Sequence, residues 1–361
     1  VHTMVRSFIL KSRQRVTGFA LMATCLGVVN AHAAITNKQV IPSETPLTIK
    51  FCVYDMMGSG GDVYHYAQNL ALNAKKWHVN AVVKAYTDER VASDDFKAGQ
   101  CDGLAISTLR AKQFNPFIGS IDSIGSAPSY QHIHMLVSTF NSPQIAPLMI
   151  KGDYQVITVM PLGAAYVMVN NRHIDSLDKA AGKKVAVIDV DKAQSKIVQK
   201  LGAQAVTTDI YNFANLFNNG QVDIITAPAV AFKPLELAKG LGEYGGIYRL
   251  PLTQMTGTIL INRKRLLKRI PDLDQKIGKI REFALKEMDK SITFIGKREQ
   301  EIPAHFWLDL PANEQARYEQ IMREARVQLT KEGAYDPRMM ALMKKVRCKI
   351  EPANAECSMV N

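Results

Sequence analysis

The sequence predicts an α/β protein of two lobes, each a doubly wound mixed sheet flanked by helices, with further helices at the carboxyl end. Three observations carry this. From Tyr166 to Phe232, short apolar strands alternate with helical runs of about ten residues, the βαβ pattern of a parallel sheet. The same script occurs earlier in the chain. Lys50 to Asp55 (KFCVYD) matches Lys184 to Asp189 (KVAVID), and Phe96 to Ser107 (FKAGQCDGLAIS) matches Phe217 to Pro228 (FNNGQVDIITAP), with Phe, Gly, Gln and Asp at equal spacing. Finally, the chain beyond Pro271 carries apolar residues at helical spacing only. Duplicated halves imply a cleft between them.

The amino terminus reads as a secretory signal. Arg6, Lys11, Arg13 and Arg15 precede an apolar stretch from Val16 to Val29, and Ala31-His32-Ala33 forms an A-x-A site with cleavage expected after Ala33. The apolar stretch is too short to cross a bilayer, so no stable membrane insertion is expected after cleavage. Cys25 lacks the context of a lipoprotein box. Loss of residues 1–33 removes four basic and no acidic side chains, and the net charge falls from +12 to +8. That excess is spread out, densest at Arg263 to Arg269 and Lys344 to Lys349. It has no interleaved aromatics, so it reads as a solvated surface and excludes nucleic acid as a partner.

Residues 34–46 read as a polar leader. After the first strand, Gly58-Ser59-Gly60-Gly61 joins it to a helix carrying Val63, Tyr66, Ala67, Leu70, Ala71 and Ala74 on one face. The glycine loop is either a tight turn or a cradle for a polar ligand group. Asn80 to Asp88 is the second strand, Glu89 to Gly99 a helix, and the third strand ends at Ser107-Thr108. Phe117 to Ser129 reads as loop and His132 to Phe140 as a strand. Tyr154 to Pro161 leads out of lobe I, Gly163 to Ala165 opens lobe II, and Leu250 to Ile261 returns. Helices follow with Leu273, Ile277, Ile280, Phe283, Ala284 and Met288 on one face, then from Ala312 to Glu332. A last helix has a Met-rich stripe (Met339, Met340, Leu342, Met343, Val346), read as core packing. The expected organisation is 47–162 plus 254–300 for lobe I, 163–253 for lobe II, and 301–361 as carboxyl-terminal helices packing on the lobes.

Four cysteines follow residue 33, an even number in an oxidising compartment. Cys52 lies in the first strand and Cys101 opens the third. In a lobe with strand order 2-1-3 those strands are neighbours, which predicts a Cys52–Cys101 disulfide. Cys348 and Cys357 would close a short loop. No spacing resembles a zinc site.

Ligands of such sheets gather outside the carboxyl ends of the strands. Tyr54, Asp55, Tyr86 and Ser107 stand there in lobe I, with Ser59 in the glycine loop and Arg90 just after the second strand. Tyr166, Asp189, Asn212 and Thr226 are the counterparts in lobe II. These ten are the candidate ligand contacts, for a small polar solute. Asp102 and Asp223, in the repeated GQxD units, read as turn caps. His132 and His134 would share a face of their strand but have no third metal ligand beside them. There is no G-x-S-x-G, H-E-x-x-H or Walker loop, so no catalysis, cofactor or metal is expected.

Three segments carry a family resemblance: VNNRHIDSLDKAAGKKVAV (Val169 to Val187), LGAQAV, and YNFANLFNNGQVDII. Together they resemble the extracytoplasmic solute receptors of tripartite (TRAP-type) transporters, a branch of the two-lobed periplasmic binding proteins of type II-like fold. The resemblance is strongest over residues 160–290 and extends over 47–350. It implies a periplasmic protein that captures a solute by hinge closure and delivers it to membrane transporter subunits. It also implies an Arg in the strand after the Lys-Gly step, pairing with a ligand carboxylate. The matching position here is Ala186, while Asp55, Asp189 and Asp191 occupy the loops and would suit a cationic or hydroxyl-rich ligand. Arg90 or Arg110 could supply a positive charge from lobe I. The alternatives are a periplasmic sensor or accessory subunit without a transport role, and a secreted enzyme using Asp55 and Asp189.

Overall fold

The computed structural model describes residues 47–358; the signal segment lies outside the described residues. The first half of the chain runs β1 (Leu47–Tyr54), α1 (Asp62–Ala74), β2 (Val79–Tyr86), α2 (Glu89–Ala98), β3 (Gly103–Ser107), α3 (Thr108–Ala111), α4 (Tyr130–Ser138) and β4 (Ile150–Lys151). β5 (Tyr154–Val169) carries it into α5 (Leu177–Ala180), β6 (Lys184–Ile188), α6 (Lys192–Lys200), β7 (Gln204–Thr208), α7 (Phe213–Asn218), β8 (Ile224–Pro228) and α8 (Ala238–Leu241). β9 (Gly246–Asn262) returns, followed by α9 (Arg263–Leu267), α10 (Leu273–Gln300), β10 (Trp307–Leu308), α11 (Ala312–Lys331) and α12 (Pro337–Ile350).

All strands join one sheet whose main path is β2-β1-β3-β9-β5-β8-β6-β7. Its two ends mirror each other. β1 sits between β2 and β3, and β6 between β7 and β8, all parallel. Between them β5 and β9 run antiparallel through both lobes as a shared spine. The duplication reaches single hydrogen bonds. Asp102 accepts the Lys50 N–H at 3.0 Å and Asp223 accepts the Lys184 N–H at 2.9 Å, so each GQxD aspartate fastens the equivalent lysine of its neighbouring strand. Asp55 N–H donates to the Tyr86 carbonyl, and Asp189 N–H to the Thr208 carbonyl.

β5 runs as one strand from Tyr154 to Val169. One reading needs correction. The segment around His132 is helix α4, not a strand. Ile133, Leu136, Val137 and Phe140 are all buried at helical spacing, and that period outweighs the alternation of the two histidines. His132 is buried and His134 half-buried, so they do not share a face.

The spine is irregular, with register shifts between Val156 and Thr158, Pro161 and Gly163, Ala165 and Tyr166, and Tyr166 and Met168. At the first, Arg281 from α10 donates to the carbonyls of Ile157 (2.7 Å) and Val156 (2.9 Å), and also to that of Phe140 (3.0 Å). Burial pulls this guanidinium down to about 10. The segment from Phe117 to Ser129 is loop, as expected, but largely buried. Its carbonyls find donors on the last two helices: Arg326 reaches Ile124 (3.0 Å) and Arg347 reaches Ser126 (2.6 Å). Glu356 pairs with both guanidinium groups. Met339 and Met343 are fully buried in the core of lobe I.

Both disulfides are present, Cys52–Cys101 with Cα atoms 5.8 Å apart and Cys348–Cys357 with 5.5 Å. The first closes a loop of 49 residues and the second one of 9. By chain entropy these stabilise the fold by about 4 and about 3 kcal/mol. Replacing Cys52 and Cys101 together by Ser should therefore lower the urea midpoint more than replacing Cys348 and Cys357, read from non-reducing urea titrations.

Candidate functional site

The strand ends of both lobes open onto a cavity of about 1150 Å³. Lobe I contributes Tyr54, Asp55, Ser107 and Asp122; lobe II contributes Ile188, Asp191, Phe213 and Thr226; the spine contributes Met160, Leu162 and Thr258. The lining is mainly apolar, with a few carboxyl and hydroxyl groups set into it.

Four of the ten candidate contacts line this cavity: Tyr54, Asp55, Ser107 and Thr226. Asp55 is buried, and its carboxylate accepts the N–H groups of Met57 (2.8 Å) and Tyr64 (3.0 Å). It thus caps α1 and fixes the glycine loop. A Cβ at Gly61 would collide with the Asp55 carboxylate, and Gly58 adopts positive φ, so the loop's glycines have a steric reason. Ser107 is held by the buried Glu89, which accepts its N–H (2.6 Å) and hydroxyl (2.9 Å). Burial pushes the Glu89 carboxyl up against the opposing pull of Ser107 and Arg110. Tyr54 is 9% exposed, and its hydroxyl has no hydrogen-bond partner among the described residues. Burial, then the neighbouring Glu89, pushes its proton affinity up.

Asp189 stands at the rim. Arg110 bridges the lobes there, 3.6 Å from Glu89 and 3.8 Å from Asp189. The other five stand elsewhere. The Tyr86 hydroxyl donates to Asp95 at 2.5 Å and Tyr166 donates to Glu299 at 3.1 Å. Ser59 and Asn212 are exposed, and Arg90 is exposed and paired with Asp88 at 3.5 Å. Tyr130 also donates to Glu299, at 3.0 Å, and accepts the Ala164 N–H, so one glutamate ties α4 and α10 to the spine. Ala186 is buried in β6 and lines the cavity.

A family profile described as "Solute-binding protein AdeT 1/2" matches residues 70–361. The chain belongs to this solute-binding protein family. It is 44% identical over 307 residues to the probable solute-binding protein AdeT1 of Acinetobacter baumannii, covering 85% of this chain and 99% of that protein. With the probable solute-binding protein AdeT2 of the same organism it shares 26% identity over 243 residues, 67% of this chain and 99% of that one. In fold it is similar to a TRAP periplasmic solute-binding protein from Ralstonia eutropha H16 with bound (S)-2-acetolactate. The TM-score is 0.68 at 14% identity, with coverage of 84% and 99% of the two chains. A TRAP periplasmic solute-binding protein from Shewanella oneidensis with bound succinate gives 0.67 at 12% identity, covering 83% and 99%. No described helix is long and apolar enough to cross a membrane.

The chain carries one polar feature that its sequence did not reveal. Asp122 lies in the buried loop and accepts from the Thr256 hydroxyl (2.6 Å) and N–H (3.1 Å). Thr256 Oγ1 is 2.7 Å from Thr108 Oγ1, which is 2.7 Å from Thr258 Oγ1. Three buried hydroxyls therefore lead in single file to one carboxyl at the cavity wall. The faint signal was T-x-T in the returning strand, which puts two hydroxyls on one face. Burial pushes the Asp122 carboxyl up to about 7. A carboxyl that binds its proton more tightly folded than unfolded favours the fold at low pH. That advantage is lost as pH rises from the unfolded value of about 4 to the folded value of about 7. Asp122→Asn should thus gain on wild type across this window, by on the order of 4 kcal/mol at pH 8. Thermal melts from pH 4 to pH 8 read the gap.

Proposed function

We propose that the protein is a periplasmic receptor that encloses a small solute between its two lobes and passes it to a membrane transporter. One observation carries the reading: strand ends of both lobes face a single cavity, while a common pair of strands links the lobes. A solute touching both sides favours the closed arrangement by its differential contacts. Lobe I comprises 47–162 with 254–300, lobe II comprises 163–253, and 301–361 brace them; secretion uses the amino-terminal segment, cut after Ala33. The resemblance to TRAP periplasmic proteins with bound acetolactate and succinate supports a small ligand and a transport role. The chain performs no catalysis on what it binds. Tyr54, Asp55, Ser107 and Thr226 are its contacts from the two walls, with Asp189 at the rim.

Mass spectrometry of the denatured, purified protein should release a small compound intact, and adding that compound back should reduce the radius of gyration in solution scattering. Absence of any compound that compacts the protein would remove the reading. Asp189→Ala should weaken the compound's affinity several-fold with little change in melting temperature, since the side chain is half-exposed and its pair with Arg110 is long. Unchanged affinity in a calorimetric titration would take Asp189 off the contact set.

A further inference from the structure

Asp122 in the lobe I loop and Asp191 at the start of α6 in lobe II both line the cavity, and both are at least nine-tenths buried, with exposures of 7% and 9%. The two carboxyl groups therefore share the lining of one cavity from opposite lobes, both largely shielded from water. Neither forms an ion pair among the described residues, and nor does Asp55 on the same wall. Lys112 acts on Asp191 from outside the lining, where its ammonium donates to the Ala334 carbonyl and lies 5.4 Å from the Tyr335 ring. Arg110 is not part of the lining; it lies 3.6 Å from Glu89 and 3.8 Å from Asp189, and its buried Nε has no hydrogen-bond partner among the described residues. Of the lysines in the lining, Lys290 pairs with Glu287 at 2.8 Å. Lys76 bonds Asn73 beyond the far end of α1, about 20 Å from that helix's first residue. A ligand carboxylate entering between Asp122 and Asp191 meets two carboxylates, and neither lysine of the lining forms an ion pair with them. A second, independent feature is the Tyr54 hydroxyl, buried in the same wall without a partner.

We propose that the cavity takes an organic cation: an ammonium group seated between Asp122 and Asp191, on an apolar frame that lies against Met160, Leu162, Ile188, Phe213 and Val230. The proposal rests on the solute-binding reading above and adds the charge of the solute. Two buried carboxylates, only one of which has a cation (Lys112, outside the lining) acting on it, are costly. A cation between them removes that cost only while both lobes stay together, so the same group that is recognised also favours closure. The Tyr54 hydroxyl and ring offer a further polar or cation–π contact.

The test uses matched probes on the full secreted chain, by calorimetry at pH 8: n-hexylamine against n-hexanoate, and 2-phenylethylamine against 3-phenylpropanoate, with calcium chloride as a separate arm. On each frame the amine should bind at least ten-fold tighter than the carboxylate. Asp191→Asn and Asp122→Asn, which retain one oxygen for the Ala193 N–H and the Thr256 N–H respectively, should each lose at least ten-fold in amine affinity while their melting temperatures show them folded. Equal or tighter binding of the carboxylates overturns the proposal and leaves the solute-binding reading standing. Calcium binding that excludes the amines overturns it in favour of a metal. No binding by any probe overturns it too; recovery of a neutral or anionic copurified compound would then show that the solute-binding reading survives.

Discussion

The sheet depends on a strict accounting of backbone hydrogen bonds along β5 and β9. These two strands lie at the centre of the path and belong to both lobes, so any irregularity in them is buried, and buried carbonyls need donors. Beside the shift at Val156, Arg281 donates two N–H groups, to the Ile157 and Val156 carbonyls, from a helix far along the chain. Arg326 and Arg347 do the same for the buried loop that carries Asp122. Arginine suits this work because its fork offers several donors in fixed geometry and keeps its charge when buried. Each of these donors sits on α10, α11 or α12, so the carboxyl-terminal third of the chain is part of what makes the spine and its loop possible.

The repeated halves start from the same local solution and end with different chemistry. In both, an aspartate of a GQxD unit fastens a lysine N–H of the central strand, and a second aspartate closes that strand. In lobe I the closing residue, Asp55, turns inward and caps a helix; in lobe II its counterpart, Asp189, stays half-exposed and faces Arg110 across the rim. The helix after Asp189 is capped instead by Asp191, which becomes the buried wall residue. A duplicated framework thus places carboxylates at unequal depths on the two sides of one cavity.

Much of the framework was legible because it is local. The alternation of strands and helices and the shared spacing of Phe96 to Ser107 with Phe217 to Pro228 follow from short-range pattern, and the 2-1-3 order that joins Cys52 to Cys101 follows from the usual topology of a doubly wound lobe. The site was less legible. Tyr86 and Tyr166 end or lie in strands as required, yet their hydroxyls are taken by Asp95 and Glu299, partners that no spacing reveals. Asp122 was invisible for the opposite reason: it lies in a Gly, Ser and Pro-rich stretch that reads as surface and is buried only because Arg326 and Arg347 arrive from more than 200 positions away. Helix α4 was misread because two histidines at alternate positions drew attention from the apolar period running through them.

Helix α1 borders the cavity along most of its length, and none of its residues is buried. Thirteen residues make a helix that is marginal in isolation, and this one has little core to lean on. It hangs from its ends: the Asp55 carboxylate grips the Tyr64 N–H at one, and a left-handed turn at His78 leads into β2 at the other. The roof of the binding chamber is therefore the part of the lobe least anchored by packing, and its first turn shares an anchor with the chamber wall itself, so whatever disturbs Asp55 reaches the roof before it reaches the rest of the fold.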